Sequence, residues 1–201
     1  MLNKIDEHTL LQECLRENIN AQKILYKKFF PKMIAVCLRY LKNKEDASEV
    51  LNNAFLKVFE KLKQYRSTGS LEGWIKRIVI NTSLDFIRSN KSYREKFILM
   101  DEFSSFGSPD PAGQAELDFP EAEMHLDKEE IFKLVSELPP ATRIVFNMYV
   151  IDEFSHKQIA QQLNISTGTS QWHLSNARKI LKIKINDAVN KKNKNNNAIH
   201  G

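Results

Sequence analysis

Glycine and proline are scarce in this chain, six of each in 201 residues, and there are only two cysteines. The few glycines build no loop of Walker or Rossmann type, so a phosphate-cradling nucleotide enzyme is not expected. Cys14 and Cys37 both lie in helix-like sequence and form no metal or redox motif. They read as reduced structural residues, which suits a cytosolic chain. Five histidines (His8, His125, His156, His173 and His200) are scattered, with no ligand pair at helical spacing, so no metal or cofactor is expected. No apolar run approaches the roughly 20 residues that span a bilayer. The opening residues, among them Asn3, Lys4, Asp6 and Glu7, contain no apolar signal core. A soluble, cytoplasmic protein with no membrane insertion is the expectation. Strand-like alternation between turn signals is also missing, which excludes the α/β catalytic domain that a recombinase-type enzyme would need.

What is present is charge in blocks. The net charge of +5 conceals +8 over residues 1–100, −9 over residues 101–130 and +6 over residues 131–201. Two basic blocks flank an acidic one. Basic blocks suit a polyanionic partner, although a solvated surface has the same composition.

Helical periodicity fills most of the remainder. A short helix is expected over about 7–17. The next, over 21–41, carries Ala21, Ile24, Leu25, Phe29, Met33, Cys37 and Leu41 on one face, with a kink or break near Phe30 because of Pro31. Residues 45–63 set Ala47, Val50, Leu51, Ala54, Phe55 and Val58 against Glu45, Asp46, Glu49, Asn52, Asn53 and Lys57. Three acids on one face can in principle hold a divalent cation, but such faces are ordinarily solvated or docked on a basic partner. A polar loop, Gln64 to Ser70, precedes a helix over about 71–92. That helix puts Trp74 among its core residues and turns Lys76, Arg77, Asn81, Asp85 and Arg88 outward. Tyr65, Arg66, Ser67, Thr68 and Ser70 can line a pocket for an unstacked base beside this cationic surface. An exposed or internally satisfied amide is the plainer reading of Asn81.

Residues 100–127 lose all periodicity and hold three of the six prolines among acids, which reads as a linker. Helices resume over Ile131–Leu138 and from Pro140 or Ala141. SHKQIAQQLNISTGTSQWHLSNARKIL, residues 155–181, then has the outline of a helix-turn-helix. Ser155 and Gln158 are spaced as a capping box, Asn164 tolerates a left-handed turn, and Ser166 or Thr167 can cap the second helix. Ser170, Leu174, Ala177 and Leu181 make its inner stripe; Gln171, Trp172, His173, Ser175, Asn176, Arg178 and Lys179 face the other way, where bases and phosphates can be met. A helical hairpin inside a bundle shares this outline. The expected fold is all-α: two small helical domains, residues 1–97 and 128–185, an acidic flexible linker over 98–127, and a disordered basic tail over 186–201.

The run EDASEVLNNAFLKVFEKLKQYRSTGSLEGWIKRIVINTSLDFIR resembles the second region of bacterial sigma factors of the extracytoplasmic-function group. LPPATRIVFNMYVIDEFSHKQIAQQLNISTGTSQWHLSNARKIL is similar to their fourth region. The resemblance spans about residues 20–185, and both halves occur in the family's order with a linker between them. It implies a protein that is not an enzyme. Its partners would be core RNA polymerase, promoter DNA (duplex at the −35 element, single-stranded at the −10 element) and an anti-sigma factor. By this resemblance Asp46, Glu49, Asn52, Asn53 and Lys57 belong to the face that docks on polymerase. Tyr65, Arg66, Ser67, Thr68 and Ser70 match the loop that captures a flipped −10 base. Asn81 matches the asparagine of the −10 reading helix, with Lys76, Arg77, Asp85 and Arg88 on the same element. Thr167, Gln171, Trp172, His173, Asn176, Arg178 and Lys179 match the −35 recognition helix, and His156 and Lys157 begin the helix that supports it. Ser170 stands where many relatives carry Val or Ile, and its hydroxyl can bond a carbonyl one turn back, which limits the cost of burying it. Asn52, Trp172 and Asn176 also depart from the common pattern. The alternative is a stand-alone helix-turn-helix regulator.

Overall fold

The computed structural model describes residues 6–41, 43–90, 93 and 126–199, with the side chains of Lys128 and of residues 193–199 left aside. The expected linker lies outside the described residues except for Leu126 and Asp127. Every regular element among the described residues is helical, so the fold is all-α. The chain divides into two compact units between Asn90 and Lys91.

The first unit holds α1 (Glu7–Leu15), α2 (Ile19–Leu41), α3 (Lys44–Lys61) and α4 (Leu71–Ser89), with a 3-10 turn, Leu62–Gln64, closing α3. Helices α2, α3 and α4 pack against one another. Their shared core includes Leu25, Cys37, Tyr40, Leu51, Phe55, Ile75, Val79 and Leu84. Local chemistry sets the starts: Asp6 caps α1, Asn43 caps α3, and the Ser70 hydroxyl accepts from Gly73 N–H at 3.1 Å to start α4. Helix α2 runs unbroken through Pro31, so of the kink or break expected near Phe30 the break does not occur. Proline inside a free helix costs about 3 kcal/mol. Leu25 and Phe29 are buried on one side of it, and Met33, Cys37 and Tyr40 on the other. At about 1.5–3 kcal/mol for each buried apolar side chain, that burial outweighs the lost hydrogen bond.

The second unit holds α5 (Lys128–Ser136), α6 (Pro140–Phe146) with a π-helical segment Asn147–Ile151, α7 (His156–Leu163) and α8 (Thr167–Ile199). Helix α8 is the spine: α5, α6 and α7 all pack on it. It remains helical to Ile199, where the sequence reading places a disordered tail from residue 186. Extending an existing helix needs no new nucleus, and asparagine costs only about half a kcal/mol per residue against alanine. Ile185 is buried. Lys184 donates to Glu137 and Lys192 to Glu130, each at 2.6 Å, pinning the extension to α5. The Lys192 ammonium holds the Glu130 carboxyl below the usual carboxylate range, helped by its bond to the Asp127 N–H. Both pairs are partly exposed, so water screens them and they orient the extension more than they stabilise it.

Both cysteines are buried, and desolvation pushes the thiols of Cys14 and Cys37 up to about 11. At pH 8 only about one thiol in a thousand is then thiolate. Neither cysteine of the native chain will react with a disulfide-exchange reagent over minutes, and two equivalents will appear on denaturation. Rapid labelling of the native chain would contradict this burial.

Candidate nucleic-acid interface

In the first unit the loop between α3 and α4 is held from within. The Tyr65 hydroxyl donates to the Gly69 carbonyl at 2.7 Å, and the Tyr65 ring packs on Trp74 with centroids 5.3 Å apart. Trp74 is therefore half-buried against the loop rather than part of the core, because its side of α4 faces the loop. The sequence reading, which placed it in the core, is corrected there. Ser67 sits in the left-handed region at φ 55°, a conformation a non-glycine residue holds at some cost. Arg66, Ser67, Thr68 and Ser70 are exposed along this turn.

Helix α4 carries more polar residues than one exposed face can hold. Thr82 and Ser83 fall on the buried side, where each hydroxyl donates to a carbonyl of its own helix, Ile78 and Val79 respectively, at 2.9 Å. Such internal bonding removes the penalty for burying a hydroxyl. The side chain of Asn81, half-buried beside them, makes no hydrogen bond to the described residues. Its amide is thus not consumed by the fold. Arg77 is exposed and Lys76 half-buried. Asp85 pairs with Arg88 on its own helix and accepts from Lys57 of α3 at 3.4 Å. Lys57, on the polar side of α3, thus also reaches α4. Along α3, Glu49, Asn52 and Asn53 are exposed and Asp46 half-buried; the Asn52 amide oxygen accepts from the Tyr26 hydroxyl at 2.9 Å.

The second unit realises the helix-turn-helix in detail. Ser155 and Gln158 form both bonds of a capping box before α7. Asn164 ends α7 at φ 56° and ψ 46°, the left-handed turn. The Ser166 hydroxyl, rather than Thr167, starts α8 by accepting from Thr169 N–H at 2.9 Å. Lys157, Thr167, Gln171 and Lys179 are exposed, and Trp172, Asn176 and Arg178 half-buried.

His173 is not on the reading face. It is 2% exposed, and its Nδ1 lies 3.1 Å from the Thr142 Oγ1 of α6. The ring joins α8 to α6 and cannot reach a base edge. The helical repeat explains the correction: residue 173 follows Ser170 by three and precedes Ala177 by four, so it shares their stripe. Ser170 is also wholly buried, and its hydroxyl pairs at 2.9 Å with His156 Nδ1 rather than with a carbonyl of its own helix. The His156 ring stacks on Tyr149 with centroids 4.4 Å apart and planes at 24°. Thr142 and Tyr149 are partners the sequence reading missed, since nothing local marks them. Burial, and then the nearby Arg178 charge, hold the His156 imidazole below the ordinary histidine range. Arg143, 3% exposed beneath the motif, is lowered by desolvation to about 10 and stays charged at neutral pH.

Among the described residues no helix is long and apolar enough to cross a membrane, and no cluster of three or more acidic, histidine or cysteine side chains is placed to hold a metal ion.

Two expectations follow from these geometries. His173→Ala will destabilise the chain by about 1–3 kcal/mol, the cost of an orphaned buried hydroxyl partner, and leave sequence preference on DNA unaltered. Denaturant unfolding and a binding-site selection check this; altered base preference at unchanged stability would restore a reading role. For His156, the neutral ring is favoured in the folded chain. The corresponding stability is complete above the unfolded value near 6.5 and is lost as pH falls from there through the lower folded value. Unfolding midpoints measured at pH 7 and pH 5.5 will therefore differ less in His156→Gln than in the unsubstituted chain.

Residues 25–93 match the family model for sigma-70 region 2, and residues 128–181 match that for sigma-70, region 4. Among curated relatives, the RNA polymerase sigma-H factor of Pseudomonas aeruginosa is 22% identical over 90% of this chain and 94% of its own length. The ECF RNA polymerase sigma-E factor of Escherichia coli is 22% identical over 94% of this chain and 99% of its own. Among solved structures, the sigma factor RpoE in complex with the anti-sigma factor NepR, from Bartonella quintana, aligns with a TM-score of 0.45 at 20% identity, covering 82% of this chain and 96% of that one.

Proposed function

Because this chain belongs to the sigma-70 family, in its extracytoplasmic-function group, we propose a division of promoter recognition between its two units. As a sigma factor it binds core RNA polymerase and directs it to promoters. In our reading the first unit docks on polymerase through Asp46, Glu49, Asn52 and Asn53 of α3. Arg66, Ser67, Thr68 and Ser70 of the loop, with Asn81, Lys76 and Arg77 of α4, take the unpaired strand of the −10 element. Tyr65 holds that loop in shape. The second unit reads the duplex −35 element through Thr167, Gln171, Trp172, Asn176, Arg178 and Lys179, while His156 and Lys157 meet phosphates.

The observation that carries the −10 assignment is Asn81. It is a half-buried amide without a protein hydrogen bond, on a helix whose neighbouring hydroxyls are all internally bonded. Of the two plainer readings, an internally satisfied amide is disfavoured by that geometry, while a solvated amide has the same appearance and is separated from a base contact by the Asn81→Ala test below. A flipped base offers the missing donors and acceptors, at a cost of a few kcal/mol of unstacking that stacking and hydrogen bonds offset.

The mechanism is linkage rather than covalent chemistry. Each unit binds its element modestly, and polymerase holds both units on one promoter, so the first contact raises the effective concentration of the second. The chain acts where polymerase acts, in the cytoplasm, and an anti-sigma factor is expected to hold it inactive, as is usual in this group. A net charge of −9 over residues 101–130 suits a segment that lies in polymerase channels otherwise occupied by nucleic acid.

Run-off transcription with core polymerase on a genomic library tests this reading and yields the promoter. Asn81→Ala is expected to reduce promoter opening about ten-fold, roughly 1.4 kcal/mol, with unchanged affinity for core polymerase. Equal loss of polymerase affinity would make Asn81 structural. Strong specific duplex binding by the chain alone, indifferent to polymerase, would favour a stand-alone regulator.

A further inference from the structure

The bond between Ser170 and His156 fixes more than the angle of the helix-turn-helix. Ser170 is 0% exposed, and the described residues offer its side chain a single hydrogen-bond partner, His156 Nδ1 at 2.9 Å. A serine hydroxyl has one proton to give. Were Nδ1 the protonated nitrogen, the hydroxyl could only accept, and its own proton would be left unsatisfied in a dry site, at a cost of about 1–3 kcal/mol. The stable arrangement therefore has Ser170 donating to Nδ1, which leaves the neutral ring with its proton on Nε2. Ring orientation is fixed as well, by stacking on Tyr149. His156 is half-buried, and Nε2 has no protein partner among the described residues.

We propose that Ser170 is a positioning residue for DNA binding, which locks His156 as a neutral Nε2–H donor to a backbone phosphate of the −35 duplex. The inference rests on the assignment of the second unit to duplex DNA. It places a specificity-neutral contact under the control of a residue that never touches DNA. The charged and titratable groups facing the ring are Tyr149, from the segment before α7, and Arg178, from α8. A second cation beside Arg178 is disfavoured, so a hydrogen bond from an uncharged ring is the contact this corner can offer without adding to that charge.

The first test is the tautomer itself. In the full-length chain labelled with 15N-histidine, long-range proton–nitrogen correlations at neutral pH will show His156 as the Nε2–H form, its signal identified by its loss in His156→Gln. An Nδ1–H ring would overturn the proposal. The second test uses holoenzyme on a promoter fragment obtained by run-off transcription with this chain. Ser170→Ala is expected to give a mixed tautomer and about five-fold weaker binding, and Ser170→Thr, which keeps the hydroxyl, to restore both. Replacing single −35 phosphates by methylphosphonate will weaken the unsubstituted holoenzyme at one linkage and the Ser170→Ala holoenzyme less at that linkage. An Nε2–H ring with equal losses at every linkage would overturn the phosphate role. If Ser170→Ala fails to fold, the tautomer and the Ser170→Thr scan decide. Failure of the functional reading looks different: the unsubstituted chain would give no promoter-dependent transcript, which overturns the phosphate role while the tautomer is still read in the free chain.

Discussion

A helix that reads nucleic acid carries polar side chains around much of its girth, and every one that falls on the buried side must find a partner. That requirement organises both units. In α4 it is met within the helix, where Thr82 and Ser83 bond the carbonyls one turn back. In α8 it is met across helices, where Ser170 takes His156 of α7 and His173 takes Thr142 of α6. The two solutions differ in consequence. Internal bonding leaves only a long contact from the Ser83 hydroxyl to the Cys37 sulfur as a cross-helix tie through those hydroxyls, so α4 is placed mainly by apolar packing, with the Lys32–Glu72 and Lys57–Asp85 pairs at its exposed side. Cross-helix bonding makes the register of α6 and α7 on α8 a matter of donor and acceptor geometry as well as of shape.

The same requirement separates side chains that the fold consumes from those it leaves available. Tyr65 carries an aromatic face and a hydroxyl suited to a base, yet both are used in holding the loop. Asp85 is used between Arg88 and Lys57. The side-chain amides of Asn81 and Asn176 are not used by any hydrogen bond to the described residues. Ranking candidates by what remains unspent is more discriminating than ranking them by residue type.

Most of the architecture was legible because helix starts are local chemistry. The capping box at Ser155, the left-handed Asn164 and the cap at Ser70 were all readable from a few neighbouring letters. Features that depend on distant partners were not. Pro31 leaves a kink and a break equally open in sequence, because the sequence shows the lost hydrogen bond and hides the burial on either side of it that keeps the helix continuous. Residues 186–199 look like a tail because Asn and Lys are exposed in composition, whereas their helix is anchored by Glu130 and Glu137, some fifty residues away in the chain. His173 reads as a surface residue because its polarity argues louder than its position, although its spacing from Ser170 and Ala177 placed it on the inner stripe. Its partner Thr142 lies in another helix, and no local pattern announces such a pairing.

Helix α8 joins the recognition segment to the carboxyl-terminal extension without interruption. At about 1.5 Å per residue, some 33 Å separates Ser170 from Lys192 along its axis. The helix is thus a lever whose short arm lies at the recognition segment. A tilt of ten degrees at the reading end displaces the Lys192 end by about 6 Å over that length. Because Lys184 and Lys192 tie the long arm to α5, any tilt of α8 against its own unit must stretch both ion pairs, which oppose it where the leverage is greatest.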